Sequence, residues 1–346
     1  MRAVKLSGPG TLTLEEVDIP EPGPGQVRVR IGGAGLCHSD LHVLELGELW
    51  PAFGGTIGHE GGGWVDAVGP EVTDVAPGDA VLINLIWSCG NCRACIEGRD
   101  NACRTMGTRT TFPTSPGLGP DGAMAEYAIV PARHAVPIGD LDPVTSAPLT
   151  DAAVTPMHAI NSVRDRLTPG ATVVVIGVGG LGHLGVQILS AVCASRIIAL
   201  DTDPVKLSAA AEHGADLTVP SDSRAAESIL ADTAGEGADV VLDFVAAQAT
   251  VDLAAATVAP EGAIRLVGLG GGSLAVHAGP EGESLPWGVN VQRSYGGTRA
   301  DLADVIGLAQ RGRIAVETVT YPLADFARAV DDLAAGRVAG RAVLVP

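Results

Sequence analysis

Four cysteines within fifteen residues form the densest group of metal-binding side chains in this sequence. Cys89, Cys92, Cys95 and Cys103 follow the spacing C-x2-C-x2-C-x7-C. Four thiolates suit tetrahedral zinc, and a shell closed by four protein ligands leaves no position for water or substrate. We therefore predict a structural zinc lobe over residues 89–103, with a disulfide framework or a nucleic-acid-binding zinc ribbon as the alternatives.

A second group of metal-binding residue types lies outside that lobe. Cys37 opens the segment Cys-His-Ser-Asp-Leu-His, and His59 follows 22 residues later within Gly-His-Glu-Gly. A catalytic zinc ion has three protein ligands and one open position. Taken singly, a buried thiol or a satisfied surface histidine explains each residue, but the combination favours a catalytic metal site.

A glycine-rich turn between an apolar strand and a helix predicts a dinucleotide site. Glycines let the backbone approach a pyrophosphate, which binds the N–H groups at the start of the helix. Asp201 ends the next strand 24 residues after Gly177, close to the usual spacing for an acid that binds the adenosine ribose. An acid there repels a 2′-phosphate, so the turn predicts NAD rather than NADP; a glycine turn without a ligand is the alternative. The cofactor-contacting residues that we expect here are Gly177, Gly179, Gly180, Leu181, Gly182 and Asp201, with Lys206 either on the ribose or solvated on its helix.

The elements that must position these residues change character along the chain. The first 150 residues alternate short strands and turns, with strands predicted at 27–31, 63–68 and 80–85 and an irregular loop at 105–122. From about residue 170, strands at 173–176, 196–200, 217–219, 239–244 and 263–267 alternate with helix-length segments, and 341–345 reads as a final strand. Such alternation predicts a parallel sheet covered on both faces. We therefore predict a β-rich domain and an α/β domain with a cleft between them.

Composition and charge exclude several classes of protein. The formal net charge of −18 argues against a nucleic acid or an anionic membrane as partner, since both require a basic face. Residues 171–195 carry no charge, but their five glycines and opening β-branched run fit a buried strand and helix better than a membrane span. No signal-peptide core is present at the start, so we expect a cytoplasmic protein.

These motifs together resemble the zinc-dependent medium-chain alcohol dehydrogenase family over essentially the whole length. The resemblance implies a GroES-like β-rich catalytic domain at 1–153, a Rossmann doubly wound NAD-binding domain at 154–290, and a C-terminal segment at 291–346 that returns to the catalytic domain. It also implies two zinc ions per chain, one catalytic and one structural.

For the catalytic zinc, the resemblance implies Cys37 and His59 as ligands. Many members supply a cysteine as the third ligand, whereas the matching position here is Asp151, as in some bacterial members. We hypothesise that an oxygen ligand leaves more positive charge on zinc and strengthens its action as a Lewis acid; an aspartate that caps a helix is the alternative. Glu60 matches a carboxylate that can approach the metal, and Asp40 matches an acid that orients the histidine ligand.

The remaining matched positions concern substrate and cofactor. Ser39 matches the hydroxyl that bonds the substrate oxygen, and His42 matches a histidine that passes the alcohol proton to solvent. Thr155, Gly268 and Arg341 match cofactor contacts, with Thr155 on the nicotinamide side and Arg341 on the pyrophosphate side.

The resulting hypothesis is reversible hydride transfer between NAD and a primary or secondary, hydrophobic alcohol in a homodimer or homotetramer. Within the same family, a polyol or formaldehyde dehydrogenase is an alternative. A zinc-free NADPH-dependent quinone or enone reductase and a non-enzymatic zinc-binding interaction protein are the others. Aromatic residues that could line an apolar substrate pocket, or equally belong to the core, are Trp50, Phe53, Trp87, Trp287 and Tyr295.

The division into catalytic and structural metal sites predicts different outcomes for two cysteine variants. Cys37→Ser removes a ligand beside the substrate position, so we expect it to lose most of its turnover. Cys89→Ser opens the closed lobe, so we expect it mainly to lower the thermal midpoint. Steady-state kinetics and thermal unfolding of both variants would test this; equal, mild effects from both would contradict the division.

Overall fold

The computed structural model describes residues 1–46, 53–277 and 285–346, and the chain divides there into two compact units. The first unit is formed by Met1–Val154 together with Gly296–Pro346, and the second by Thr155–Tyr295. The C-terminal residues thus fold with the N-terminal ones.

The regular elements are fifteen strands and ten α-helices within those residues. The strands are β1 (Arg2–Gly8), β2 (Thr11–Glu16), β3 (Gln26–Leu36), β4 (Glu60–Val68), β5 (Ala80–Ile83), β6 (Tyr127–Pro131), β7 (Ala135–Pro137), β8 (Thr172–Ile176), β9 (Arg196–Asp201), β10 (Leu217–Pro220), β11 (Ala238–Asp243), β12 (Val258–Leu266), β13 (Asn290–Arg293), β14 (Thr318–Pro322) and β15 (Arg341–Val345). The helices are α1 (His38–Leu46), α2 (Arg93–Ile96), α3 (Pro143–Ser146), α4 (Val154–Asn161), α5 (Gly182–Val192), α6 (Pro204–Glu212), α7 (Ala225–Asp232), α8 (Gln248–Thr257), α9 (Arg299–Gln310) and α10 (Phe326–Ala334).

The first unit is built on a sheet whose central strand is β3. Its order is β14-β15-β3-β4-β5-β7, with β6 also paired to β3, and all pairs are antiparallel except β14 with β15. Strand β3 is longer than the predicted 27–31 because it continues through Gly32–Gly33 to Leu36. Glycine disfavours strands in general, but a Cβ at Gly33 would lie 2.7 Å from the Val144 carbonyl oxygen, so only glycine fits this close approach.

The second unit is a doubly wound α/β domain. Its six strands are all parallel and follow the order β10-β9-β8-β11-β12-β13. Strand β8 is thus central, and the chain adds strands to one side of it before turning to the other. This is the strand order of dinucleotide-binding folds, and it confirms the predicted Rossmann domain.

The strand predictions hold with small differences in their ends. Besides the extension of β3, the largest is at β12, which begins at Val258 rather than 263 and includes the turn-like residues Pro260, Glu261 and Gly262. Residues 105–122 contain no helix or strand, as predicted. Residues 171–195 form β8 and α5, and the described part of the chain has no helix of the length and hydropathy that a membrane crossing requires.

A buried histidine joins two parts of the first unit. His134 lies between β6 and β7, is 1% exposed, and stacks on Trp87 at 6.2 Å between ring centroids. Its Nε2 accepts a hydrogen bond from the Ser88 N–H at 2.9 Å. Burial lowers the pKa of His134 to about 4, because the charged imidazolium loses its hydration.

We expect this histidine to make the protein less stable in mild acid. The folded state holds the imidazole neutral down to about pH 4, whereas the unfolded chain protonates near pH 6.5. This contribution is therefore fully present above pH 6.5 and is lost as the pH falls towards 4, by up to roughly 3 kcal/mol.

Chemical denaturation of wild type and His134→Gln between pH 4 and 7 measures the effect. Glutamine can still accept from Ser88 but does not titrate, so the difference in unfolding free energy between the two proteins should shrink or reverse as the pH falls. A difference that stays constant across the range would contradict the assignment to His134.

Candidate metal centres and cofactor site

The first metal cluster forms where three neighbouring strands of the first unit begin or end. Cys37 directly follows β3, His59 directly precedes β4, and Arg341 opens β15. Strand β3 pairs with both neighbours, with Gly35 opposite Glu60 and Leu36 opposite Ala342. A Cβ at Gly35 would fall on the Glu60 carboxylate, so this glycine makes the room that Glu60 occupies.

Asp151 reaches the same cluster from an unusual helical turn. Residues Leu149–Ala153 form a single π-helical turn that leads into α4, and all five are buried. Wider turns of this kind are uncommon and recur at functional sites, since they redirect one side chain without breaking the helix. Here the turn carries the carboxylate that the family resemblance implied as the third ligand.

The ligand atoms of Cys37, His59, Glu60 and Asp151 all lie within 4.8 Å of one another. Asp151 Oδ2 is 3.4 Å from Cys37 Sγ and 3.8 Å from His59 Nε2. Tetrahedral zinc, with its ordinary bond lengths, places such pairs about 3.6 and 3.4 Å apart. The donor set and its spacing therefore fit a zinc ion.

The carboxylate of Asp40 holds the other side of this cluster. Its Oδ1 lies 3.2 Å from His59 Nδ1, and its Oδ2 accepts the Cys37 N–H at 2.9 Å. Asp40 thus orients the histidine and fixes the backbone of the cysteine, as expected of a residue behind a metal ligand. Burial alone would lower the pKa of His59, but Asp40 and Asp151 raise it well above its ordinary value. The carboxylates of this cluster therefore favour a positive charge at the position of His59.

Arg341 lies among these acidic side chains. Its guanidinium is buried and donates to both oxygens of Glu60 and, at 3.0 Å, to Asp151 Oδ2. Burial raises the pKa of Glu60 to about 7, although the Arg341 charge opposes the shift. The family resemblance led us to expect Arg341 on the pyrophosphate, a contact that stays a prediction. Sequence reasoning missed the carboxylate contacts because only the strand order β15-β3-β4 brings these residues together.

The two residues that the resemblance assigns to the substrate oxygen and to proton release, Ser39 and His42, lie on α1. Ser39 is half-buried, with its Oγ 3.7 Å from Cys37 Sγ, and His42 is exposed one turn further along the helix. Residues three apart on a helix share a face. Ser39 and His42 therefore lie on the same face of α1, with Ser39 nearer the metal cluster and His42 exposed.

The four-cysteine group forms the second metal cluster. All four are free thiols, and their sulfur atoms lie within 4.8 Å of one another. The Sγ–Sγ distances of 3.5 Å for Cys92 to Cys95 and 3.9 Å for Cys89 to Cys95 match the edge of about 3.8 Å of a zinc–thiolate tetrahedron. Hydrogen bonds from Thr105 and nearby backbone lower the pKa of Cys89 to about 6, which favours a thiolate. The disulfide alternative is wrong for this structure.

The glycine turn of the second unit has the shape that a pyrophosphate requires. Gly177 has φ +82°, and a Cβ at Gly182 would meet the Gly177 carbonyl oxygen, so both positions need glycine. A Cβ at Gly179 would meet nothing within 4 Å, which leaves open space beside the turn at the start of α5. The turn therefore fits a bound dinucleotide.

Asp201 ends β9 beside this turn. Its Oδ2 accepts the Val178 N–H at 2.9 Å and its Oδ1 accepts the Asp203 N–H at 3.0 Å. Lys206 is exposed on α6, and Gly268 follows β12 against Val245. Thr155 is buried in the first turn of α4, four residues after Asp151.

The aromatic residues considered for a substrate pocket have different surroundings. Trp87 belongs to the core of the first unit, whereas Trp287 is 81% exposed on the second. Phe53 and Tyr295 are partly exposed. Trp50 lies outside the described residues.

Comparison with known protein families matches both parts of the chain. The family described as "Alcohol dehydrogenase GroES-like domain" matches residues 23–140, and the family described as "Zinc-binding dehydrogenase" matches residues 180–311.

Relatives match over almost the entire length. A NAD-dependent alcohol dehydrogenase of Sulfurisphaera tokodaii is 35% identical, with 100% of this chain and 99% of the relative covered. A D-arabinose 1-dehydrogenase (NADP(+)) of Saccharolobus solfataricus is 36% identical over 99% of this chain and 96% of its own. The crystal structure of the alcohol dehydrogenase from the archaeon Aeropyrum pernix covers both chains fully, with 33% identity and a TM-score of 0.88. The chain therefore belongs to the zinc-dependent medium-chain alcohol dehydrogenase family.

Proposed function

We propose that this protein is a zinc-dependent alcohol dehydrogenase that interconverts an alcohol and its aldehyde or ketone with NAD as hydride carrier. The observation that carries the proposal is the convergence of Cys37, His59 and Asp151 on one buried point, with Glu60 beside them. Full-length similarity to NAD-dependent alcohol dehydrogenases supports the same reaction.

Cys37, His59 and Asp151 would hold the catalytic zinc ion, which supplies a Lewis acid that polarises the substrate oxygen. NAD supplies the hydride acceptor, and the glycine turn of the second unit would bind its pyrophosphate. Asp40 keeps the His59 ring in the orientation that presents Nε2 to the metal.

The proton of the alcohol leaves through residues of α1. Ser39 Oγ accepts the proton from the substrate hydroxyl and passes one on to the His42 imidazole, which is exposed and releases it to water. In the reverse direction the same path delivers a proton to the substrate oxygen. Histidine suits this role because its ordinary pKa lies near neutrality.

Arg341 and Glu60 act on the metal ligands rather than on the substrate. The guanidinium bonds to Glu60 as well as Asp151, so it limits the approach of the Glu60 carboxylate to the metal. A zinc ion held by Cys37, His59 and Asp151 would then keep one coordination position for the substrate, as a catalytic zinc site requires.

We assign NAD rather than NADP because of Asp201. Its carboxylate lies at the carboxyl end of β9, where a 2′-phosphate would meet a negative charge. The similarity to an NADP-linked D-arabinose 1-dehydrogenase shows that relatives differ in this choice, so the residue is worth testing directly.

For the substrate we retain a primary or secondary hydrophobic alcohol. The D-arabinose 1-dehydrogenase relative favours a second candidate, oxidation of a polyol or sugar hydroxyl at the same metal. Hydride transfer from a carbon that carries a hydroxyl is the same reaction in both cases, and only the groups around the reacting carbon differ. The presence of two clusters of metal-binding side chains, one catalytic and one of four cysteines, argues against a zinc-free reductase.

Assembly and location are further parts of the proposal. We expect a homodimer or homotetramer; β13 is the last strand of its sheet, and an unpaired strand edge can pair with a second copy. A cytoplasmic location fits the six free thiols, because the cytoplasm keeps cysteines reduced.

Metal analysis combined with a substrate panel tests the central proposal. We expect two zinc ions per chain, one for each cluster, and NADH production from primary and secondary alcohols that is lost when a chelator removes the catalytic ion. Polyols and aldoses in the same panel separate the two substrate classes. A zinc-free protein that oxidises NADPH with quinones or enones would refute the proposal.

Replacing Asp201 tests the choice of cofactor. Asp201→Ala removes the charge that repels a 2′-phosphate, so we expect the ratio of kcat/KM with NAD to that with NADP to fall by about tenfold or more. Asp203→Ala is the matched control, because this nearby carboxylate caps α6 through the Val205 N–H and should leave the ratio unchanged. An unaltered ratio in Asp201→Ala would show that another residue selects the cofactor.

A further inference from the structure

A short segment after β11, residues 244–246, lies between two glycine-rich stretches of the second unit. On one side is the turn 177–182, which the proposed function assigns to the cofactor. On the other side is the loop 268–272, of which the sequence singled out only Gly268. Strand β11 pairs with β8, so that Asp243 lies beside Ile176, the residue before Gly177.

The first contact of this segment is with the glycine turn and the helix after it. A Cβ at Gly177 would lie 2.4 Å from Val245 Cγ2, and one at Gly185 would lie 3.0 Å from the Phe244 ring. The Phe244 N–H also donates to the Ile176 carbonyl at 2.9 Å. The position of the turn and of the start of α5 thus depends on the two side chains at 244 and 245.

The second contact is with the loop after β12. The Gly270 N–H donates to the Val245 carbonyl at 3.0 Å, and the Gly272 N–H donates to the Ala246 carbonyl at 2.8 Å. A Cβ at Gly268 would lie 2.3 Å from the Val245 carbonyl carbon, and one at Gly270 2.6 Å from its oxygen. A Cβ at Gly272 would lie 2.8 Å from the Ala246 carbonyl oxygen, so packing on the same segment explains all three glycines, and not only contact with a ligand.

The carboxylate of Asp243 fixes the backbone of this segment. The side chain is fully buried at the carboxyl end of β11, and its Oδ1 accepts the N–H groups of Val245 at 2.9 Å and Ala246 at 2.8 Å. Ala246 has φ +54°, a conformation that non-glycine residues rarely adopt. Burying a carboxylate costs free energy, and the two hydrogen bonds to Oδ1 offset part of that cost and hold the strained residue in place.

We propose that Asp243 is a positioning residue for the dinucleotide site, acting through residues 244–246 on both the glycine turn and the loop 268–272. The sheet supports this location, because the strand order reverses between β8 and β11, and dinucleotides bind at such a reversal. The Asp243 carboxylate bonds to the backbone of residues 245 and 246 and to the Thr250 side chain, so it contributes by holding two cofactor-facing segments in the geometry for binding before the cofactor arrives. The inference rests on the proposed use of NAD.

Titration of the zinc-loaded protein with NADH, followed by fluorescence, tests the inference without turnover. We expect Asp243→Ala to raise the NADH Kd by about tenfold or more, because the two N–H groups lose their acceptor and the segment loses its fixed shape. Asp243→Asn retains an acceptor oxygen at the same place and should stay within about threefold of wild type.

Asp239 provides a matched control on the same strand. Its carboxylate accepts the Thr172 N–H at 2.7 Å, but it lies near the opposite end of β11. Asp239→Ala should lower the thermal midpoint and leave the NADH Kd unchanged. An equal rise in Kd for both alanine variants, or none for a folded Asp243→Ala, would overturn the proposal.

Gly270→Ala decides the question if Asp243→Ala does not fold. The added methyl group would press on the Val245 carbonyl from the other side, so the NADH Kd should again rise by about tenfold or more. An unchanged Kd in this variant would overturn the proposal. Wild-type protein that fails to bind NADH would instead refute the proposed function, which keeps the two failures distinct.

Discussion

The structure of the first unit depends on burying three acidic groups at one point. Asp40, Glu60 and Asp151 are each less than a tenth exposed, and carboxylates buried close together repel one another strongly in a protein interior. Arg341 supplies one compensating charge, and a divalent cation bound through His59 fits the rest. The Arg341 guanidinium and a bound metal ion would therefore both stabilise the buried carboxylates. Loss of Arg341 would leave the buried Glu60 carboxylate without this partner, which costs more than a surface ion pair contributes.

That charge balance explains why the C-terminal residues fold with the N-terminal ones. Arg341 can reach Glu60 only if β15 lies beside β3, and β15 does so by pairing Ala342 with Leu36. The four-cysteine lobe is separate from this cluster. Residues 89–103 contain little regular structure of their own, so a zinc ion bound by the four cysteines would hold the lobe together. Its Asp100 carboxylate also accepts the Arg299 N–H at the start of α9, which ties the lobe to the C-terminal part of the same unit.

The dinucleotide site of the second unit is shaped mainly by close backbone packing. Its glycines are required partly by the ligand and partly by residues 244–246, on which two of its loops pack. Such a site requires that the packing segment itself be held in place, and the buried Asp243 carboxylate does this by accepting the N–H groups of Val245 and Ala246. Substitutions of such glycines would thus affect binding even where they do not face the cofactor.

The sequence by itself determined the spacing of the four cysteines, the glycine turn, the acid that ends the next strand and the alternation of strands and helices, because each of these patterns is local in the chain. Spacing within a few residues reports directly on turns, strands and helices. Only the tertiary structure decided that Arg341 binds Glu60, since the two residues are 281 positions apart and meet through strand order. The same is true of Trp87, which packs in the core, and of Asp243, which no motif marks. Long-range neighbours follow from the register and order of strands, and a single sequence states neither.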